Sequence, residues 1–235
     1  MRIILPWTTW CRGHWRRLLV LIFASLLPLL WFGAIAEDLI EYERFAYDAP
    51  IMEGVHSVAS ARLDRFMRAI SKLGQNWGVV PLDIAVLVML LARRRWSLAG
   101  FWAAAVGGGA VLTVAAKLLF HRARPDVWVA VASEKTFSFP SGHAMGSMAA
   151  MAAIVVLLWP TRWRYAALIS GAVFVMAVGL SRVYLGVHYP SDVLAGWTGA
   201  LGWVIGVAAL MWDKLSAGAP EKNDHRHGSG SQSTP

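Results

Sequence analysis

Residues 97–119 read SLAGFWAAAVGGGAVLTVAAKLL, an unbroken apolar stretch whose single charge, Lys117, stands near its end. A bilayer core about 30 Å thick needs roughly 20 apolar helical residues to cross it, because every backbone amide and carbonyl must be paired inside the segment. This stretch meets that requirement. Five more apolar stretches, at about 18–36, 74–92, 143–159, 163–180 and 192–212, repeat it along the chain. The expected fold is therefore all-α, an integral membrane bundle of six transmembrane helices. Only the connection after the first stretch, about 37–73, is long. Its second half places Val55, Ala59, Leu63, Phe66, Met67, Ile70 and Leu73 at helical spacing, with Arg62, Arg65, Arg68 and Lys72 between them. That pattern predicts an additional surface helix between the first and second crossings.

Composition agrees. Of 235 residues, 57% are hydrophobic and 15% charged, against about a quarter charged in soluble domains. Trp15, Trp31, Trp77, Trp96, Trp159, Trp163 and Trp212 flank apolar runs, as interfacial anchors do. The lone Cys11 forms no internal disulfide and has no nearby metal-ligand partners. The net charge of +8 is carried by short arginine clusters between apolar runs, not by one basic face, so it reads as membrane topology and not as a nucleic-acid surface. With the amino terminus inside, twelve Lys and Arg residues fall on inner segments and nine on outer ones. Both termini are then cytoplasmic. Arg16 and Arg17 before an apolar run ending Ala34-Ile35-Ala36 also resemble a signal peptide, but the run is longer than a signal core, and retention is expected.

The chain divides into a cytoplasmic amino terminus, residues 1–17, a membrane domain, 18–212, and a tail, 213–235. The tail is polar and ends Gly/Ser-rich, so it is expected to be disordered, and His225 and His227 in it carry no specific role.

Three polar constellations fall at one membrane surface in this six-helix arrangement. The first joins Lys117 to Arg124-Pro125, the second is Pro140-Ser141-Gly142-His143, and the third runs from Ser181-Arg182 to His188 and Asp192. Arg124 and Arg182 offer planar paired donors to phosphate oxygens, and Lys117 adds a mobile positive charge. Ser141 is a good N-cap, Gly142 permits close approach of a ligand, and the free amides of that helix start form an anion site. Asp192 near one nitrogen of His188 fixes the tautomer and leaves the other free to attack phosphorus. Pro190 is expected in the first helical turn, which leaves His188 just outside the helix.

Other polar residues take simpler readings. Lys117 alone would be a snorkelling lysine. Asp83 is expected to reach water or pair with an arginine. His121 and Arg122 read as solvated loop residues beside the first constellation, and Met145 and Met148 as bundle packing. Gly107, Gly108 and Gly109 lie mid-helix, where they permit close helix contact instead of cradling phosphate.

The three constellations resemble the signature of the type 2 phosphatidic acid phosphatase superfamily: Lys, six residues, Arg-Pro; Pro-Ser-Gly-His; then Ser-Arg, five residues, His, three residues, Asp. Every fixed position is present and in order, and the resemblance covers about residues 60–212. It implies a membrane phosphatase domain over 18–212 that hydrolyses a phosphomonoester or diphosphate without metal or cofactor. By position it makes His188 the nucleophile, forming a phosphohistidine, with Asp192 orienting it. His143 would protonate the leaving oxygen and then help activate water. Lys117, Arg124, Ser141, Gly142 and Arg182 would bind the phosphate. The implied partners are membrane lipids and a lipid phosphate substrate such as undecaprenyl diphosphate, phosphatidylglycerol phosphate or phosphatidic acid. The implied location is the inner (plasma) membrane, with the site facing the periplasm or exterior. A lipid transporter or scramblase without hydrolysis is the alternative, and it predicts charges near the bilayer midplane instead of at helix ends. A soluble haloperoxidase with a related anion site conflicts with six apolar stretches.

Overall fold

The computed structural model describes residues 6–42, 45–126 and 136–216. Among them every regular element is helical: α1 Pro6–Tyr42, α2 Asp48–His56, α3 Ala61–Leu73, α4 Val79–Ala92, α5 Trp96–Trp102, α6 Gly108–Phe120, α7 Gly142–Leu158, α8 Arg164–Tyr184, α9 Pro190–Leu210 and α10 Trp212–Ser216. One π-helical turn, Ala103–Gly107, joins α5 to α6, so Trp96–Phe120 is a single continuous helix. Lys135, His225 and His227 lie outside the described residues.

Four helical segments are long and apolar enough to cross a membrane: Ile22–Glu41 of α1, Trp96–Phe120, α8 and α9. α4 and α7 are equally apolar but shorter. Phe23, Leu27, Leu30 and Trp31 on α1, Leu118 and Leu119 on α6, and Ile169 and Val173 on α8 are all exposed. So extended an apolar surface is stable against lipid and not against water. The chain is a multi-pass membrane protein.

Small residues set how closely the helices approach, since in lipid the association depends on packing and interhelical hydrogen bonds. α9 packs against α1 on one side and α7 on another. Ala144, Ala149, Ala150 and Ala153 bury one face of α7, and Ser25 of α1 donates its hydroxyl to the Gly202 carbonyl of α9 at 2.8 Å. Of the glycine run, Gly108 permits close helix contact as the sequence predicts: a Cβ there would lie 2.5 Å from the Trp203 ring, whereas a Cβ at Gly107 would meet nothing within 4 Å. Met145 is buried in the bundle and Met148 packs beside it.

The long connection departs from the expected single helix. The spacing from Val55 to Leu73 is interrupted at residues 57–60, and two helices, α2 and α3, form instead. Ser60 starts the second, its hydroxyl accepting the Leu63 N–H at 3.3 Å. The apolar spacing continues across the break, which is why periodicity alone merges the two. α3 is then fastened to the end of α8: the Tyr184 hydroxyl donates to Asp64 at 2.6 Å and accepts from the Ser60 N–H at 3.3 Å. Asp83 on α4 is half-buried, and its buried Oδ1 has no hydrogen-bond partner among the described residues.

Candidate active site

Four helix ends meet at the site. α6 closes at His121, which adopts a left-handed conformation (φ 47°) and donates its N–H to the Lys117 carbonyl at 3.2 Å. The turn sends Arg122 and Arg124 back toward the bundle, while Lys117 stays on the last helical turn and donates its ammonium to the Phe137 carbonyl. α7 begins at Gly142, with Ser141 at the capping position. A Cβ added at Gly142 would sit 3.6 Å from Thr113 and 4.0 Å from Lys117 Cε, so the lysine stem runs beside the start of α7. His143 lies half-buried on that same first turn.

The starts of α7 and α9 are locked together. The Ser141 N–H donates to the Asp192 carbonyl at 3.0 Å. A Cβ at Gly196 would come within 2.9 Å of the Ser141 carbonyl, so glycine permits this approach. Ser141 does not cap α7 with its side chain: its hydroxyl is buried and has no hydrogen-bond partner among the described residues. The sequence expectation of a side-chain N-cap is corrected on this point. The backbone bond to α9 holds the residue, and its hydroxyl is left available.

Pro190 opens α9 as predicted, and His188 stands just before it. His188 is only 1% exposed. Its Nδ1 lies 3.4 Å from Asp192 Oδ2 and 3.3 Å from the Ser138 hydroxyl, while its Nε2 lies 3.3 Å from Arg124 Nη1. Asp192 Oδ2 also accepts the Tyr189 N–H at 2.9 Å and the Ser138 hydroxyl. Arg124 is anchored by donating to the Val187 carbonyl at 2.7 Å through Nη1 and to the Thr136 carbonyl at 2.7 Å through Nε. Arg182 is buried at the end of α8 and donates to the Ser71 hydroxyl of α3. Burial holds the His188 imidazole neutral by lowering its pKa to about 4, with the Arg182 and Arg124 charges adding to the effect and Asp192 opposing it.

The geometry therefore brings His188, Asp192 and Arg124 into direct contact, sets Lys117 beside Gly142, and ties Ser141 to Asp192 through the backbone, while His143 stands on the first turn of α7 next to Gly142. Three participants escape sequence reading. Arg122 is buried, not solvated: it forms ion pairs with Asp192 at 2.6 Å and Asp48 at 2.9 Å. Breaking such a buried pair by removing one partner typically costs ~3–5 kcal/mol. Asp48 lies about 140 residues away from Ser191, whose N–H and hydroxyl it accepts, and nothing local marks it. Ser138 carries no local signal beyond its proximity to Pro140-Ser141-Gly142-His143. His121, by contrast, is exposed and meets the Phe137 ring edge-on at 4.5 Å.

A buried imidazole backed by a carboxylate and fronted by a guanidinium is chemically able to accept a phosphoryl group. Comparison with known proteins gives the class. The sequence model of the PAP2 superfamily matches residues 98–216. The chain belongs to this superfamily and is a membrane-embedded hydrolase of phosphoric esters. Among its relatives, phosphatidylglycerophosphatase B of Bacillus subtilis is 30% identical over 158 residues, covering 64% of this chain and 76% of the relative. The undecaprenyl-diphosphatase of Sulfolobus acidocaldarius is 27% identical over 186 residues, covering 78% and 84%. The crystal structure of a transmembrane PAP2-type phosphatidylglycerolphosphate phosphatase from Bacillus subtilis superposes with a TM-score of 0.73 at 26% identity, over 81% of this chain and 97% of that one.

Proposed function

We propose that this chain hydrolyses a lipid phosphate or lipid diphosphate at the outer leaflet, through a phosphohistidine on His188 and without a metal ion. The carrying observation is the His188 imidazole, buried and neutral between Asp192 and Arg124. In this reading α1, α4, the α5–α6 helix, α7, α8 and α9 are six crossings, α3 lies at the membrane surface, and both termini are cytoplasmic. The end of α6, the start of α7, the end of α8 and the start of α9 then share the outer face, periplasmic in a cell with two membranes. Active-site charges at helix ends support hydrolysis over transport, which would use charges near the midplane.

The chemistry follows from the atoms. The Nε2 lone pair of His188 attacks phosphorus, an N–P bond forms, and the bond to the leaving oxygen breaks. His143 gives that oxygen its proton. Arg124, whose Nη1 lies beside Nε2, turns donors to the phosphate oxygens, where Lys117, Arg182 and the amides around Ser141 and Gly142 also bind. These cations offset the equatorial charge that a metal would otherwise neutralise. In the second step water attacks phosphorus, His143 takes its proton, the N–P bond breaks, and inorganic phosphate leaves.

The relatives named above act on phosphatidylglycerol phosphate and undecaprenyl diphosphate, and these two, with phosphatidic acid, are the proposed substrate class. Phosphate release from these three lipids in detergent, with and without EDTA, tests the reading. Turnover of at least one, undiminished by EDTA, is expected; turnover that requires an added divalent ion contradicts it.

The pH dependence has a definite sign. His188 must be unprotonated to attack, and its pKa is lowered to about 4, so the active form persists as pH falls well past the ordinary imidazole value of about 6.5. Histidine-selective NMR titration, with His188→Gln protein to assign the signal, should find one imidazole still neutral at about pH 5.5. A His188 signal that titrates near the ordinary value would contradict its burial.

A further inference from the structure

A second charge cluster sits behind the histidine, built from residues outside the signature. Arg122 is a fork with both tines occupied: Nη1 donates to Asp192 Oδ1 at 2.6 Å and to the Ser191 hydroxyl at 2.7 Å, and Nη2 donates to Asp48 Oδ2 at 2.9 Å. Asp48, the first residue of α2, is fixed in turn by the Ser191 N–H at 2.9 Å and the Ser191 hydroxyl at 2.6 Å. The guanidinium lies over the Tyr189 ring at 4.1 Å and the Phe45 ring at 5.5 Å. Side chains of Arg122, Asp48 and Asp192 are exposed by 6%, 5% and 0%. The cluster is almost wholly buried, and both Nη atoms of Arg122 and all four carboxylate oxygens have partners.

We propose that Arg122 and Asp48 are a positioning pair for the reaction: Arg122 orients Asp192 toward His188, and Asp48 supplies the negative charge required when His188 becomes cationic. The proposal rests on His188 being the nucleophile. Its first half is geometric. Arg122 occupies Asp192 Oδ1, so only Oδ2 remains to face Nδ1 of His188, and that oxygen is where the Tyr189 N–H and Ser138 hydroxyl converge. Rotation of the carboxylate is blocked from both sides.

The second half is charge balance. Two carboxylates and one guanidinium leave one net negative charge in the cluster. When Nε2 bonds to phosphorus while Nδ1 keeps its proton, the imidazole gains one positive charge, and the cluster offsets it at short range in a buried site. Without Asp48 the full charge of Arg122 would fall on Asp192, weakening it as an acceptor from Nδ1–H. α2 thus belongs to the catalytic apparatus although it contributes no group that touches substrate.

Rapid-quench kinetics on the full chain in detergent separates this from a purely structural role. The substrate is whichever of phosphatidic acid and undecaprenyl diphosphate the unaltered protein turns over faster, and the readout is protein-bound phosphate against time. Folded molecules are counted separately by size-exclusion chromatography, and the amplitude is normalised to that count; the rate reports the chemistry in each. Asp48→Asn and Arg122→Gln are expected to slow phosphoenzyme formation and kcat about 10- to 100-fold, by analogy with partners that orient metal-binding histidines, with KM little changed. Asp48→Glu, which keeps the charge, should recover part of the rate. Reduced amplitude at an unaltered rate, or a loss confined to KM, would overturn the proposal. If His188→Ala protein still accumulates bound phosphate, the underlying nucleophile assignment fails; if it does not, while Asp48→Asn and Arg122→Gln proceed at the unaltered rate, only the positioning pair fails.

Discussion

His188→Ala protein is expected to release phosphate at least about 10,000-fold more slowly than the unaltered chain, the scale seen when a covalent nucleophile is removed. The imidazole is unprotonated at neutral pH, its Nδ1 faces Asp192, and its Nε2 faces Arg124. Alanine leaves Arg124, Arg182 and Lys117 in place, so substrate binding should survive far better than turnover. The residual rate would come from water attacking a phosphate that these cations still polarise. Phosphate-release assays on folded protein, with equilibrium binding of an uncleaved lipid phosphonate alongside, check both halves. Retention of more than about a tenth of the rate would be incompatible with a histidine nucleophile.

Asp192→Asn is the second large effect, about 1,000- to 10,000-fold in kcat by analogy with a carboxylate that fixes the tautomer of a catalytic histidine. The substitution barely changes shape, yet the neighbours dictate how the amide sits. Arg122 donates toward the Oδ1 position at 2.6 Å, so the amide oxygen turns there. The amide nitrogen is then forced to the Oδ2 position, against the Tyr189 N–H and beside His188 Nδ1. Nδ1 becomes an acceptor, the ring proton moves to Nε2, and the attacking lone pair disappears. The loss should fall on kcat with KM nearly constant, and Asp192→Glu should not reproduce it by the same route. Equal kcat in Asp192→Asn and unaltered protein would show that the carboxylate does not set the tautomer.

Much of this site is legible in the chain because its residues are held by short-range geometry. Pro190 begins α9, so His188 and Asp192 straddle a helix start whatever else surrounds them. Gly142 begins α7 for the same reason, and Lys117 and Arg124 flank the end of α6. The apolar stretches also anticipate the helices, from Trp96–Phe120 through Pro190–Leu210. What sequence reading misses is set by tertiary contact. Arg122 looks like a loop arginine until Asp48, from a helix before the second apolar stretch, meets it in the interior. The break between α2 and α3 hides inside a continuous apolar spacing, because Ser60 can cap a helix without disturbing the pattern around it. Ser141 carries an N-cap residue type, but its side chain does not cap, since α9 approaches closely enough to take over its backbone instead.

The most direct test of the central claim is to quench the full chain with its lipid phosphate on the millisecond scale and locate protein-bound phosphate by mass spectrometry. The account predicts an acid-labile, base-stable phosphoryl group on His188, formed and consumed at rates compatible with turnover. Rapid phosphate release with no bound phosphoryl group at any time, or a label on another residue, would contradict it.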